Sequence, residues 1–248
     1  MQPVPDAIDP LVFIPGMMMD GRLFRHQNLA LNPERATISF LPIGEDRIEA
    51  LAERALAQLP ERFALVGHGL GGIVAMEVVR RAPARVLRLC LMSTSPLPES
   101  PTQASEREPL IIGARTGRLL EAVKANLCAD WMAPGAGRLT LSEEILQIGL
   151  ELGADVFVQQ SRALQRRADL QSALRRFKGP SLVLCGEHDQ LFPLKRQKLL
   201  ADLLPHSQLQ IIPHAAHMAP LENPVLVTQA LANWLSWPAE ETGLARDA

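Results

Sequence analysis

Apolar and polar positions recur along this chain with two different periods, and the switches between them divide it into strands and helices. Leu11-Val12-Phe13-Ile14 is an unbroken apolar run stopped by Pro15-Gly16, which predicts a short strand. Residues 22–31 predict a short helix ending near Asn32-Pro33, and Thr37 to Leu41 a second strand. From Glu45 to Leu59 the period becomes helical, with Ile48, Leu51, Ala52, Ala55, Leu56 and Leu59 on one face. Phe63 to Val66 predicts a third strand, Ile73 to Arg81 a helix closed by Ala82-Pro83, and Val86 to Met92 a fourth strand, apolar enough to be buried on both faces. The alternation returns late in the chain. Strands are expected at 181–185 and 208–212 and helices at 194–204 and 224–234, where Pro224 suits a first helical turn.

Between Ser93 and about Phe177 the strand signal disappears. Helices are predicted near 103–113, 117–130, 141–152 and 155–175. Residues 96–176 therefore read as a helical lid inserted into a core made of residues 1–95 and 177–248. Alternating strands and helices predict an α/β fold, a mostly parallel sheet with helices on both faces and right-handed crossovers. Ligand sites in such sheets lie beyond the carboxyl ends of the strands. The insertion balances ten Lys and Arg against ten Asp and Glu, so the cluster Arg162, Arg166, Arg167 reads as a solvated face.

Composition narrows the function classes. With 47% apolar residues in 248, the chain can bury a sizeable core. A net charge of −2 points away from nucleic acid and from anionic membrane surfaces, and no apolar run is long enough to span a bilayer. The first ten residues lack the basic and apolar regions of a signal peptide. Cys90 and Cys185 sit in predicted strands and Cys128 in a predicted helix; as buried reduced thiols they suggest a cytoplasmic protein. Nothing in the pattern fixes an oligomeric state.

The candidate chemistry sits at the strand ends. Gly67-His68-Gly69-Leu70-Gly71 lies between a strand and a helix and has the spacing G-x-S-x-G, a sharp turn that presents a nucleophilic serine; here Gly69 stands at the serine position. No P-loop Lys-Ser/Thr follows, and the spacing is not the dinucleotide fingerprint. Three further segments follow strands and should open on the same edge: Pro15 to Gly21, Gly186-Glu187-His188-Asp189-Gln190, and Pro213-His214-Ala215-Ala216-His217-Met218.

Taken together these segments resemble the α/β-hydrolase fold family over almost the whole chain, in the family's order of nucleophile, acid and histidine. The resemblance implies a sheet of about six strands, because there is no room before Leu11 for the family's first two antiparallel strands. It implies that Asp189 is the acid and His217 the base, with Gly69 at the nucleophile position. Met17 and Leu70 N–H groups would form the oxyanion hole. Ala216 replaces the usual Gly before the histidine, and Pro15 stands where many members have His. Such a site needs neither cofactor nor metal. Its substrate would be a small apolar ester, lactone, amide or carbamate, with carbon–carbon bond hydrolysis as the alternative, in an apolar cleft lined by Met18, Met19, His68, Trp131, Met132 and Met218.

Gly69 admits three explanations. It is an introduced replacement of the serine, leaving the rest of an esterase-like site in place. It belongs to a naturally non-catalytic ligand-binding relative, since glycine suits a strained turn. Or a water takes the place of the missing hydroxyl and His217 activates it. The first is favoured because Asp189, His217 and both oxyanion segments remain, and it predicts an enzyme with almost no activity.

Overall fold

The computed structural model describes residues 9–127 and 131–238, so Cys128, expected in a helix, lies outside the described residues. Six strands form one parallel sheet: β1 (Leu11–Ile14), β2 (Thr37–Ser39), β3 (Phe63–His68), β4 (Val86–Met92), β5 (Ser181–Gly186) and β6 (Ser207–Ile212), in the order β2-β1-β3-β4-β5-β6. The order reverses direction at β1, where β1 pairs with both β2 and β3. Every pairing is parallel, so each connection must carry the chain back across the sheet through a helix.

The period-two alternation of the strands sorts their side chains onto two cores. Leu11, Phe13, Ala64, Val66, Cys90, Met92, Leu182 and Leu184 face one side. There they meet α1 (Arg25–Leu31) and the closing helix α10 (Pro224–Leu235), whose buried Trp234 also donates its indole N–H to Pro180 O at 3.2 Å. Val12, Ile14, Leu65, Leu89, Leu91 and Val183 face the other side, against α2 (Ile48–Gln58), α3 (Leu70–Arg81) and α8 (Leu194–Leu203). α3 is buried from Leu70 to Val79, as its apolar sequence requires. Full burial of one Leu or Val contributes about 1.5–3 kcal/mol, so these two layers hold the sheet edge in place.

Between β4 and β5 the chain forms α4 (Pro101–Arg115), α5 (Leu119–Asn126), α6 (Arg138–Arg166) and α7 (Gln171–Arg176). α4 starts with a capping box between Ser100 and Gln103. α6 is broken at Gly153, where φ is 87° and ψ 172°. The predicted elements match the observed ones to within a few residues, except that the two expected long helices 141–152 and 155–175 become the two arms of α6 plus the separate α7. The insertion is tied to the sheet side by polar contacts. Arg22 pairs with Glu151 at 2.6 Å, Arg25 pairs with Glu144, and Arg166 pairs with Asp46 at 2.5 Å. A four-residue helix, α9 (Ala219–Glu222), precedes α10.

Candidate active site

The parallel register brings five strand ends to one level. Ile14 lies beside Gly67, His68 beside Met92, Met92 beside Leu184, and Gly186 beside Ile212. β3 ends at His68 and α3 begins at Leu70, leaving Gly69 alone to turn the chain. It does so at φ 52° and ψ −117°, a conformation that costs an L-residue about 1–3 kcal/mol. The flanking glycines have no room for side chains. A Cβ on Gly67 would meet Gly72 Cα at 2.7 Å, and one on Gly71 would run into the Ile14 carbonyl. The turn is pinned to the end of β4: Gly69 N–H donates to Met92 O at 3.0 Å, and Thr94 Oγ1 donates to Gly69 O at 2.7 Å. At Gly69 itself the space is open. An added Cβ would sit 3.7 Å from Gly16 Cα and 3.8 Å from His217 Nε2, both ordinary contacts.

Asp189 and His217 meet beside this seat. Asp189 Oδ2 lies 3.4 Å from His217 Nδ1, and both side chains are buried. Burial pushes the Asp189 carboxyl up. The charge and hydrogen bond of His217, with the Phe192 N–H that Asp189 Oδ1 accepts at 2.9 Å, outweigh that and hold it down at about 2. Asp189 is therefore an anion across the neutral range. The His217 ring is held by three others. Phe192 stacks on it at 5.6 Å between centroids, His68 lies tilted at 4.6 Å, and Trp131 stands edge-on at 6.5 Å. The His217 N–H donates to Trp131 O at 3.1 Å. Glu222 accepts from Ala216 N at 2.9 Å and from Ala133 N at 2.6 Å, so one carboxylate joins the histidine loop to the insertion.

His68 is fully buried, and its Nε2 donates to His217 O at 2.8 Å. Burial first, and the neighbouring His217 second, push its pKa down to about 3, so it is a neutral ring whose Nδ1 faces Gly16. Cys90 and Cys185 are buried free thiols. Burial raises both, Cys185 to about 12 with help from Asp189, so neither is a nucleophile at neutral pH. His188 and Glu187, next to the acid, are exposed. Among the described residues no group of three or more His, Cys, Asp or Glu is placed to hold a metal ion, and no helix is long and apolar enough to cross a membrane.

A cavity of about 150 Å³ opens over Gly69 and His217. Met17 and Leu70 border it, and among the described residues neither backbone N–H has a protein acceptor. His68, Trp131 and Met218 also line it. Met18, Met19 and Met132 do not. The chain turns at Met18 (φ 53°), whose N–H donates to Gln160 Oε1 at 2.8 Å. That turn sends the Met18 and Met19 side chains down into the hydrophobic core, where Val123, Ile148 and Met132 join them. The expected apolar cleft is also corrected. Leu70, Ile73, Leu127, Leu164 and Phe192 form an apolar side, but Glu99, Gln103, Arg107, Asn126, Arg167 and Arg196 form a polar one. Of the arginine cluster expected on a solvated face, Arg166 is exposed and Arg162 partly so, paired with Glu108, whereas the Arg167 side chain is buried against the cavity.

Sequence reading passed over Phe192, Gln160, Glu222 and the polar wall. Phe192 lies three residues beyond Asp189, within the turn that caps the acid, so that spacing was a usable signal. Gln160 had none, because its partners are Met18 N and Pro42 O, more than a hundred residues away.

The comparisons with known proteins agree with this architecture. The family model described as alpha/beta hydrolase fold matches residues 45–224. The chain is 27% identical to the protein named "Putative carbamate hydrolase RutD" of Yersinia enterocolitica, over 97% of this chain and 91% of that protein. It is similar in fold to the malate-bound thermophilic esterase from Thermogutta terrifontis, with a TM-score of 0.82, 24% identity and coverage of 92% and 90% of the two chains. The enol-lactonase from Burkholderia xenovorans LB400 has a TM-score of 0.83 at 19% identity, covering 94% and 92%. With the match spanning most of its length and the strand-end loops where that architecture needs them, the chain belongs to the alpha/beta hydrolase fold family.

Proposed function

We propose that this protein is built to hydrolyse small carboxylic esters or carbamates by acyl transfer, and that Gly69 leaves it without the nucleophile. The observation that carries the reading is the empty seat at position 69, where a Cβ would point within 3.8 Å of His217 Nε2 while Asp189 holds the other ring nitrogen. A serine there would attack the carbonyl carbon. His217 would take its proton and pass it to the leaving group, with Asp189 fixing the tautomer and stabilising the imidazolium. The Met17 and Leu70 N–H groups would receive the oxyanion, each contributing about 3–4 kcal/mol to the transition state. The RutD relatives and the esterase and lactonase neighbours support ester or carbamate carbonyls as the class attacked. Residues 96–176 serve as the lid on a core formed by residues 1–95 and 177–248, and Trp131 reaches His217 from that lid.

A second reading has one observation in its favour. The φ of 52° at Gly69 suits glycine, as expected for a relative that binds a ligand without turning it over. The Gly69→Ser variant separates the two readings. It is expected to label with a fluorophosphonate and to hydrolyse p-nitrophenyl acetate about a million-fold faster than the chain with glycine. A folded Ser variant that neither labels nor turns over refutes the hydrolytic reading.

A further inference from the structure

The polar wall of the cavity holds more positive charge than the protein neutralises. Arg107 from α4, Arg167 at the end of α6 and Arg196 from α8 all line it, together with a single carboxylate, Glu99. Glu99 is only 3% exposed and takes Arg107 Nη2 at 2.6 Å and Arg167 Nη1 at 3.2 Å. Among the described residues Arg196 has no carboxylate partner. Three guanidinium groups and one carboxylate give this lining a net charge of +2.

Arg167 carries the largest imbalance. Its side chain is 9% exposed. Nε donates to Leu97 O at 2.9 Å and Nη1 to Glu99, but among the described residues Nη2 has no acceptor. Burial first, and repulsion from Arg107 and Arg196 besides, pull its pKa down to about 10, while Glu99 opposes them. A buried guanidinium with a bare amino group beside two like charges is costly unless an anion completes it. A carboxylate fits: it accepts two parallel N–H bonds from a guanidinium, and such charge-assisted bonds are the strong ones. The recess is also close to the reacting position. Arg107 Nη1 lies 3.7 Å from Met17 Sδ, and Met17 borders the same cavity as Gly69.

We propose that the substrate carries a carboxylate a few atoms from the carbonyl that is attacked, held by Arg167 and Arg196, with Glu99 fixing Arg107 beside them. The inference rests on the hydrolytic reading for its carbonyl and goes beyond it in naming a short anionic ester or carbamate. A neutral apolar ester would leave Arg167 unpaired and is the poorer ligand.

The chain with Gly69 allows a test by binding alone. Calorimetric titration at low salt compares monomethyl succinate, which is anionic, with dimethyl succinate, which is not. The anionic ester is expected to bind at least about tenfold more tightly, from one charge-assisted pair gained. R167Q and the exposed-site variant R196Q are each expected to lose most of that preference, and R196Q keeps the test valid should the buried substitution unfold the chain. Equal affinity for the two esters, binding of neither at millimolar concentration, or an unchanged preference in folded R196Q and R167Q overturns the proposal. The hydrolytic reading fails separately. A Gly69→Ser variant that labels with fluorophosphonate yet shows no preference for the anionic ester sinks the anion recess alone. One that prefers the anionic ester and never labels sinks the chemistry alone.

Discussion

The two walls of the cavity are built by different means. The sheet wall, formed by the ends of β1 and β3 and by the loops after β5 and β6, is fixed by backbone contacts so close that Gly67 and Gly71 cannot carry a Cβ. The insertion wall is fixed by side chains reaching across long stretches of sequence: Glu99 to Arg167, Gln160 to Met18, Glu222 to Ala133. Backbone contacts leave the turn at Gly69 little freedom. Polar side chains set what that geometry is offered. On the proposed reading the first wall holds the reacting groups and the second selects the molecule that enters.

Breaking the contrast at its catalytic end gives the largest expected effect. In a Gly69→Ser background, Asp189→Asn leaves the His217 ring in place but removes the charge that fixes its tautomer; kcat should fall about ten-thousand-fold with KM little changed, measured on p-nitrophenyl acetate. On the sheet wall, Gly71→Ala forces a methyl against the Ile14 and Pro15 carbonyls. It should destabilise the fold by about 3 kcal/mol or more, read from the midpoint shift in urea unfolding. A loss below about 1 kcal/mol would show that this wall yields more easily than its contacts imply.

Protonation sharpens the same comparison. Asp189 is held at about 2 in the folded protein and has an ordinary value of 3.8. The stability it contributes, on the order of 2 kcal/mol, is present above pH 4 and is lost as pH falls from about 4 through 2. Acid unfolding of the Asp189→Asn variant should lack that part of the slope. The smallest effect belongs to the insertion's outer edge. Arg166 and Asp46 are both about half exposed, so Arg166→Ala should cost under about 1 kcal/mol, and less at high salt. A larger loss would mean that this tie does more to hold the insertion than an exposed ion pair normally does.

The same division explains what could be read from the chain. β1, β3 and β4 are legible because a strand covered on both faces is nearly continuously apolar, as Leu11–Ile14 is throughout and Val86–Met92 is but for Arg88. The loops after β1, β3, β5 and β6 follow from the strands, since a parallel sheet sends all of them to one edge. Arg167 was not legible. It stands beside Arg166, which is exposed, and what distinguishes them is a pair of partners about 70 residues earlier, Leu97 O and Glu99. Met18 and Met19 were misplaced for a related reason. Their direction depends on a positive φ at Met18, held by Gln160, and no local pattern encodes that contact.

The break in α6 has a consequence of its own. As one continuous helix, the 29 residues from Arg138 to Arg166 would form a straight rod about 43 Å long. Such a rod could not point one arm at Arg22 and Arg25 and the other at Met18 and Asp46. Nothing lies within 4 Å of where a Cβ on Gly153 would be, so no neighbour excludes a side chain there. What excludes it is handedness: at φ 87° a left-handed amino acid is strained whatever the surrounding space. The shape of the roof over this cavity therefore rests on Gly153, an achiral residue at the one point of that helix where the backbone leaves the right-handed region.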